Sequence, residues 1–402
     1  MKNVRFYHLD LLCAVAIAIS SCTRPPKANE PVPAGFLPEN IKTVDSLVGI
    51  FMNKYYVPGL SFTIARNDSI KIERCYGYAD KDTKELVNPG SRFRIASISK
   101  PFTATAIMKL VEQGKLHLPD KVFGIGGILG TTYGTYPYKR WVEEITVENL
   151  LEHLGGGWTD VDYDKNKGLY NDRDPMFLHP EMNQAALISW ALDNQPLKYE
   201  PGTHLQYSNF GFCLLGRVIE KVTGMKYDEY VRKNALQPCG ITDMQIGGNT
   251  LAERLPSEVH YYDSHDFPYT LFDGRRMDAV AGWIATPTDL VKFMVRVDKF
   301  PQKADILEPA TLDTMFSPPP VSLGSTKGWT YAKGWAVDKD DNYIHGGAFP
   351  GQQSILERSQ DGFCWAVMVN TWARNGDNFQ SDMNQLMWHI RQAISNWPSG
   401  EI

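Results

Sequence analysis

The chain has 402 residues, a formal net charge of -5 at pH 7, 43% hydrophobic residues and 22% charged residues. This balance is typical of a globular protein and excludes a disordered, collagen-like or coiled-coil chain. The mild acidity offers no bulk attraction to nucleic acid, and 6 cysteines are too few for a disulfide scaffold. The length allows two or three domains, or one large domain with two lobes.

The N-terminus has the features of an export signal. Lys2 and Arg5 precede an apolar run from Leu11 to Ile19. This run is about half as long as a membrane span needs to be, and it matches the apolar region of a signal peptide. We therefore expect an exported protein, located in the periplasm or on the cell surface.

The apolar run ends in Ile19-Ser20-Ser21-Cys22, which resembles the lipobox of bacterial lipoproteins. In such a sequence the cysteine is lipidated and becomes the first residue of the mature chain. We predict a lipoprotein signal peptide over residues 1–21, then lipidated Cys22 and a proline-rich tether over residues 22–38. An ordinary secretory signal that is cleaved nearby is the alternative.

Apolar periodicity predicts the main elements of the folded part in chain order. Helical spacing occurs near residues 41–51, 101–114, 211–222 and 382–395. Strand-like runs cover residues 60–65, 70–77, 333–338, 343–347, 353–358 and 363–370, and a turn at residues 66–69 joins the first two. Residues 124–140 and 160–179 are long, aromatic and rich in turn residues, which is typical of insertions around a site.

This order of elements predicts one α/β (α+β) domain over residues 39–398. Its α/β lobe would come from residues 39–95 and 280–398, with an antiparallel sheet flanked by the N-terminal and C-terminal helices. Residues 96–279 would form an inserted helical lobe.

Ser97-Ile98-Ser99-Lys100 is the first candidate for catalytic chemistry. On a helix this spacing puts Ser97 and Lys100 on one face, so that an amine can reach the hydroxyl that it would deprotonate. The free N–H groups at the helix start can point at an arriving carbonyl oxygen. Taken alone, the pattern is better explained by a helix N-cap followed by an exposed lysine.

Two further segments carry candidate groups. Tyr207-Ser208-Asn209 lies just before a predicted helix, and its phenol and amide project the same way from an extended backbone. His345-Gly346-Gly347 lies in a predicted strand, where glycines favour the close approach of another backbone. Each segment alone also fits a purely structural role.

In this order the three segments resemble the motifs of the serine β-lactamase and penicillin-binding protein superfamily. The similarity is to its class C-like branch of β-lactamases, esterases and D-amino-acid peptidases. Residues 93–102 look like the nucleophile segment of that branch, and residues 201–224 look like its tyrosine segment. Residues 285–290 and 345–351 extend the similarity, which spans about residues 40–395.

The resemblance implies a β-lactamase/transpeptidase-like fold and a serine hydrolase that works through an acyl-enzyme without a metal or organic cofactor. Ser97 would be the nucleophile, and Lys100 and Tyr207 would share proton transfer. Asn209 would orient the substrate, and the backbone N–H groups of Ser97 and Ala348 would form the oxyanion hole. The other substrate-binding residues implied are His345, Gly346 and Gly347.

His345 stands where many β-lactamases of this superfamily carry the lysine of a K-T-G motif. Esterases and peptidases of the family often have histidine there, so an ester, amide or D-amino-acid peptide is the expected substrate. A β-lactamase is one alternative. A sensor module that binds penicillin or cell-wall fragments without turnover is another. The sequence does not indicate an oligomeric state.

Overall fold

The computed structural model describes residues 35–158, 161–164, 169–172, 174–263, 267–270, 273–320, 328–372 and 378–400. The predicted signal peptide, Cys22 and nearly all of the predicted tether lie outside these residues. Within the described ranges, no helix is both long enough and apolar enough to cross a membrane.

The described strands cluster towards the two ends of the chain. They are β1 (Gly59–Arg66), β2 (Ser69–Asp80), β3 (Glu85–Leu86), β4 (Phe93–Arg94), β5 (Val161–Asp164), β6 (Leu169–Asp172), β7 (Gln245–Ile246), β8 (Trp283–Ala285), β9 (Trp329–Tyr331), β10 (Ala336–Asp338), β11 (Tyr343–Phe349), β12 (Gln352–Arg358) and β13 (Phe363–Val369).

The described helices occupy both ends and most of the middle of the chain. They are α1 (Pro38–Tyr55), α2 (Ser99–Glu112), α3 (Val147–Leu151), α4 (Gln184–Asn194), α5 (Asn209–Thr223), α6 (Tyr227–Val231), α7 (Phe267–Thr270), α8 (Asp278–Ala281), α9 (Pro287–Met294), α10 (Pro309–Phe316) and α11 (Phe379–Ala393).

One antiparallel sheet organises the molecule, and its described strands run in the order β3-β2-β1-β13-β12-β11-β10-β9. The β1–β2 connection is a tight hairpin in which Asn67 and Asp68 have φ values of 49° and 61°. Two consecutive residues in the left-handed region are typical of a type I′ turn, whose twist suits paired strands. The turn predicted at residues 66–69 is therefore confirmed.

The sheet is covered on both faces, as the side chains of its central strand β13 show. Trp365, Val367 and Val369 belong to a core cluster that includes apolar residues of α1 and α11. The alternate residues Ala366 and Met368 belong to the second cluster, which extends into the middle of the chain. Because successive side chains of a strand point to opposite faces, a strand covered on both sides must be apolar throughout.

Helices α1 and α11 meet on the same face of the sheet. The rings of Phe51 and Phe379 have centroids 5.4 Å apart, and those of Tyr55 and Phe379 are 4.7 Å apart. Lys54 Nζ and Tyr55 Oη both donate to Asp382 Oδ2 at 2.5 Å. The prediction of an antiparallel sheet flanked by the N-terminal and C-terminal helices is confirmed. The predicted extents of the two lobes stay a prediction.

Among the differences from the sequence prediction, two concern the site. The predicted catalytic helix begins at Ser99, and a short 3₁₀ turn over Ala96–Ile98 precedes it, so that Ser97 lies just before the helix. Strand β9 was not predicted from the sequence. The cysteines that the structure describes are buried and form no disulfide with one another: Cys75, Cys213, Cys239 and Cys364.

Candidate active site

The turn that carries Ser97 is fixed by hydrogen bonds to two sheets. Ile95 N–H donates to Trp283 O at 3.1 Å, and Ser354 Oγ donates to Ile95 O at 3.1 Å. Ala96 follows with φ 46°, a left-handed conformation that costs a non-glycine residue about 1 kcal/mol or more. The bonds to β8 and β12 on either side hold this conformation, and the chain then turns sharply into α2.

Lys100 lies in the first turn of α2 and is completely buried. Its Nζ donates to Ser97 Oγ at 2.9 Å, to Asn209 Oδ1 at 2.8 Å and to Val280 O at 3.3 Å. When Lys100 is protonated, these acceptors match the three N–H donors of its ammonium group, and a buried charge requires such compensation. The amine is thus placed where it can exchange a proton with the Ser97 hydroxyl.

Tyr207 lies beside this amine, with Lys100 Nζ 4.9 Å from the centroid of its ring. The ring of His153 packs against Tyr207 at a tilt of 41° with a centroid distance of 4.2 Å, and His153 Nδ1 accepts a hydrogen bond from Ser208 N–H at 3.1 Å. Burial and the Lys100 charge hold the pKa of His153 well below its usual value, so the ring is neutral. His153 therefore supports the Tyr207 segment structurally.

Asn209 is the first residue of α5, and Asp174 holds the start of this helix in place. The buried carboxylate of Asp174 accepts Asn209 N–H at 2.6 Å and Phe210 N–H at 3.2 Å. Ser208 Oγ accepts a further N–H of the helix, that of Gly211, at 3.1 Å. The first N–H groups of a helix lack partners within it, and a negative charge there is stabilising. Asp174 thereby fixes the residue whose side chain binds Lys100.

Strand β11 crosses the nucleophile turn so closely that only glycine fits at one position. A Cβ atom on Gly347 would lie 2.1 Å from Ile95 O and 2.4 Å from Ser354 Oγ. A Cβ atom on Gly346 would lie 2.1 Å from Gln380 Nε2 on α11. The glycines thus allow β11 to pack between the Ser97 turn and α11, as expected for close backbone approach.

His345 lies on β11 and is 5% exposed. Its Nδ1 lies 2.8 Å from Gly346 O, and its Nε2 lies 3.0 Å from Tyr331 Oη on β9. Burial and the nearby charge of Lys100 lower the pKa of His345 to about 3. This histidine is neutral at physiological pH, unlike the lysine of a K-T-G motif.

These residues face a cleft of about 860 Å³. Its lining includes the predicted residues Ser97, Tyr207, His345, Gly346 and Ala348. The opposite wall is formed by side chains of α11, namely Gln380, Ser381, Asn384, Gln385 and Trp388.

The structure thus brings the predicted site residues together. Lys100 lies beneath the cleft in contact with both Ser97 and Asn209, and Gly347 packs against the Ser97 turn. The chemical roles of these residues stay predictions. Residues 124–140 are not among the residues that line the cleft, and their role as an insertion around the site stays a prediction.

Sequence reasoning missed Tyr331, Asp174 and the α11 wall. The alternation of Trp329 and Tyr331 around one threonine, just before a glycine and another strand, was an available signal for β9. The local sequence around Asp174 indicates only an N-cap, which its carboxylate provides to Met176 N–H at 3.0 Å. Its partners at the start of α5 begin 34 residues later, at Ser208, and gave no local signal.

Ser97 precedes a helix whose buried lysine donates both to it and to a distant asparagine, and an antiparallel sheet lies beside this group. This arrangement defines a protein of the serine β-lactamase and penicillin-binding class. The chain matches the model of the family described as Beta-lactamase over residues 44–386. The chain therefore belongs to the Beta-lactamase family.

The chain is also similar in sequence to named penicillin-binding and related proteins. Protein flp of Staphylococcus aureus (strain NCTC 8325 / PS 47) is 24% identical over 340 residues, which cover 81% of this chain and 62% of that protein. Penicillin-binding protein 4* of Bacillus subtilis (strain 168) is 27% identical over 318 residues, covering 74% of this chain and 64% of that protein. The chain thus spans less than two thirds of the length of these relatives.

A solved structure gives the same fold. The D-amino acid amidase from Ochrobactrum anthropi SV3, determined in complex with L-phenylalanine amide, superposes with a TM-score of 0.68 at 22% identity. The match covers 89% of this chain and 99% of that one. The predicted β-lactamase/transpeptidase-like fold is confirmed.

The close approach at Gly347 generates one prediction. Gly347→Ala should slow the reaction of Ser97 with a fluorophosphonate by about 10²-fold, because the new methyl group must displace the Ile95 carbonyl and with it the nucleophile turn. Mass spectrometry of the labelled protein over time measures this rate. Gly49→Ala is the control, since a Cβ atom there meets nothing within 4 Å. A Gly347→Ala protein that reacts as fast as the native one would contradict this account.

A second prediction concerns Asp174. Asp174→Ala should lower the free energy of unfolding by about 2 kcal/mol, since it leaves buried N–H groups without their charged acceptor. It should also slow labelling of Ser97 under conditions where the variant is fully folded, because Asn209 is no longer held.

Asp193→Ala is the matched control, since Asp193 also accepts a backbone N–H, that of Thr135 at 2.6 Å, but lies away from the cleft. It should leave the labelling rate unchanged. Equal labelling rates in the folded Asp174→Ala and Asp193→Ala proteins would show that Asp174 does not position the site.

Proposed function

We propose that the protein is a serine hydrolase of the class C-like group, which forms an acyl-enzyme at Ser97 and acts on an ester, an amide or a D-amino-acid peptide. The observation that carries this proposal is the position of Lys100 Nζ, 2.9 Å from Ser97 Oγ and 2.8 Å from Asn209 Oδ1. A serine hydroxyl becomes an effective nucleophile when a base lies within hydrogen-bonding distance.

In the proposed reaction, Ser97 Oγ attacks the substrate carbonyl carbon while its proton passes to the pair formed by Lys100 and Tyr207. The oxygen of the tetrahedral intermediate is stabilised by the backbone N–H groups of Ser97 and Ala348. The same pair returns the proton to the leaving alcohol or amine as the bond breaks. Water then attacks the acyl-serine ester, a proton moves back to Ser97 Oγ, and the acid product leaves.

The positions of the residues around the cleft support this sequence of reaction steps. Ser97, Tyr207 and Ala348 all line it, while Lys100 contacts Ser97 from below and is itself held by Asn209. The substrate can therefore enter from one side while proton transfer takes place on the other. The amidase relative supports an amide or peptide substrate, whereas the neutral His345 argues against a β-lactam as the main one.

The proposal predicts that a fluorophosphonate or a labelled penicillin modifies the purified protein on Ser97 and that Ser97→Ala abolishes this label. Ser381→Ala is the matched control, because Ser381 lies in the same cleft on α11. Peptide mapping by mass spectrometry locates the adduct. A label that survives Ser97→Ala, or that maps to another residue, would overturn the proposal.

A panel of substrates distinguishes the three functions considered for this site: hydrolase, β-lactamase and sensor module. Turnover of aryl esters, amino-acid amides or D-Ala-ended peptides supports the proposed hydrolase, and turnover of a chromogenic cephalosporin alone supports a β-lactamase. A stable adduct on Ser97 without turnover of any substrate supports a sensor module.

We also propose that the protein is exported and anchored to a membrane through lipidated Cys22. Support comes from the charged N-terminus, the short apolar run and the lipobox-like Ile19-Ser20-Ser21-Cys22. In cells grown with a labelled fatty acid, the native protein should carry the label in the membrane fraction, whereas Cys22→Ser should be unlabelled and soluble. A Cys22→Ser protein that remains labelled would refute lipidation at this residue.

A further inference from the structure

The third acceptor of the Lys100 amine is a backbone carbonyl on a very short helix. Val280 O belongs to α8, which comprises only Asp278–Ala281, and it accepts a hydrogen bond from Lys100 Nζ at 3.3 Å. A helix of this length has almost no stability of its own, because most of its backbone groups lack partners within it. The position of this carbonyl must therefore be set by the neighbours of α8.

An ion pair ties the start of α8 to α5. Arg217 Nη2 lies 2.7 Å from Asp278 Oδ2, and the two side chains are only 8% and 15% exposed. The other oxygen of this carboxylate, Oδ1, accepts Ala279 N–H at 2.6 Å and Gln184 Nε2 of α4 at 3.1 Å. Hydrogen bonds between charged groups are stronger than neutral ones, and removing one partner leaves the other uncompensated.

Helix α5 also lies very close to α8. A Cβ atom on Gly216 would lie 2.7 Å from Ala279 Cβ, which is closer than two such atoms approach one another. Gly216 directly precedes Arg217, so the close approach and the ion pair fix neighbouring points of α8 on α5. Loss of the ion pair removes one of these two points.

Hydrogen bonds hold the other side of α8 against α2. Trp283 Nε1 donates to Tyr227 Oη at 3.0 Å, and this phenol oxygen lies 2.7 Å from Thr103 Oγ1. Thr103 Oγ1 also donates to Ala279 O at 2.7 Å. Thr103 and Lys100, both on α2, thus bind two successive carbonyls of α8. A displacement of α8 would therefore change the hydrogen bond that Lys100 makes.

We propose that Arg217 and Asp278 are positioning residues for the reaction at Ser97, because their ion pair holds α8 where the Val280 carbonyl binds Lys100. This inference rests on the proposed acyl-enzyme function and adds to it two residues that are not among those lining the cleft. The pair acts through the amine. A hydrogen bond to the Lys100 ammonium favours the protonated form, so loss of the bond to Val280 lowers the pKa of the amine.

The amine and the ion pair both have titratable neighbours. Burial and the Lys100 charge hold the pKa values of His153 and His345 well below their usual range, so both rings stay neutral. Tyr207 is a further titratable neighbour of the amine. Burial raises the pKa of each titratable group around the ion pair, namely Cys213 and Glu220 of α5, Tyr227 of α6, and Tyr133.

The pH dependence of Ser97 labelling by a fluorophosphonate tests the inference, with the rate followed by mass spectrometry at pH values where each protein is folded. Asp278→Asn and Arg217→Gln both break the ion pair. Both should move the midpoint of the pH profile to lower pH by about one unit, the size expected for loss of one hydrogen bond to a charged group. The direction is the same whether the protonated or the neutral amine is the reactive form, because the Lys100 pKa falls in either case.

The two variants separate positioning from a direct effect of charge. Asp278→Asn removes an anion, whereas Arg217→Gln removes a cation. Acting only through space, loss of the cation would stabilise the Lys100 ammonium and raise the midpoint. Loss of positioning predicts a lower midpoint in Arg217→Gln, and a higher or unchanged midpoint in that variant would overturn the inference.

Asp45→Asn is the matched control for these variants. Asp45 Oδ1 lies 3.3 Å from Arg74 Nη2, and these side chains are 14% and 1% exposed and are not among those lining the cleft. The midpoint in Asp45→Asn should equal the native one.

Thr103→Val provides a second test that changes no charge. It removes the hydrogen bond to Ala279 O and should also lower the midpoint, because α8 is then held less firmly against α2. If the ion-pair variants do not fold, an unchanged midpoint in Thr103→Val overturns the inference.

The outcomes distinguish this inference from the function on which it rests. If the fluorophosphonate does not label Ser97 in the native protein, the acyl-enzyme function itself fails. If Ser97 is labelled but its rate does not depend on pH, or the midpoint does not fall in Arg217→Gln, only the positioning role of Arg217 and Asp278 is overturned.

Discussion

The candidate site depends on one buried ammonium group. Lys100 Nζ lies in the interior with acceptors from three separate parts of the chain: Ser97 in the turn before α2, Asn209 at the start of α5, and Val280 in α8. A charge without such partners would be costly in a low-dielectric interior, so these segments must meet around it. The same charge helps to keep the buried rings of His153 and His345 neutral. The Lys100 amine thus holds the catalytic groups together and also influences the protonation of the two nearby histidines.

The sheet provides the second constraint, because it brings substrate-binding groups to the nucleophile. Ser354 on β12 binds the carbonyl of Ile95, and Gly347 on β11 leaves room for that carbonyl. Strand β11 is therefore tied to the Ser97 turn on one side and covered by α11 on the other. A rigid strand between these two elements fixes both the expected oxyanion-hole residue Ala348 and the neutral ring of His345.

Much of this arrangement could be predicted from local patterns. The apolar periodicity of residues 211–222 and the glycine that follows predicted α5, which the structure shows as Asn209–Thr223 ending at Gly224 in the left-handed conformation. The strand-like run at residues 353–358 predicted β12 within one residue. The predicted start of α2 was less accurate. The 3₁₀ turn around Ser97 is held by Trp283 and Ser354, which lie far away in the sequence.

The sequence by itself determined the elements, the family resemblance and the chemical groups of the site, since periodicity, turn residues and ordered motifs are local properties of the chain. Only the tertiary structure decided how those groups are supported and what the cleft looks like. Asp174 reaches the start of α5, Tyr331 reaches His345, and Gln380 reaches Gly346 through contacts between separate elements. Such contacts depend on strand order and packing, which leave no periodic signal in the residues involved. The described lining of the cleft is therefore a property of the folded chain.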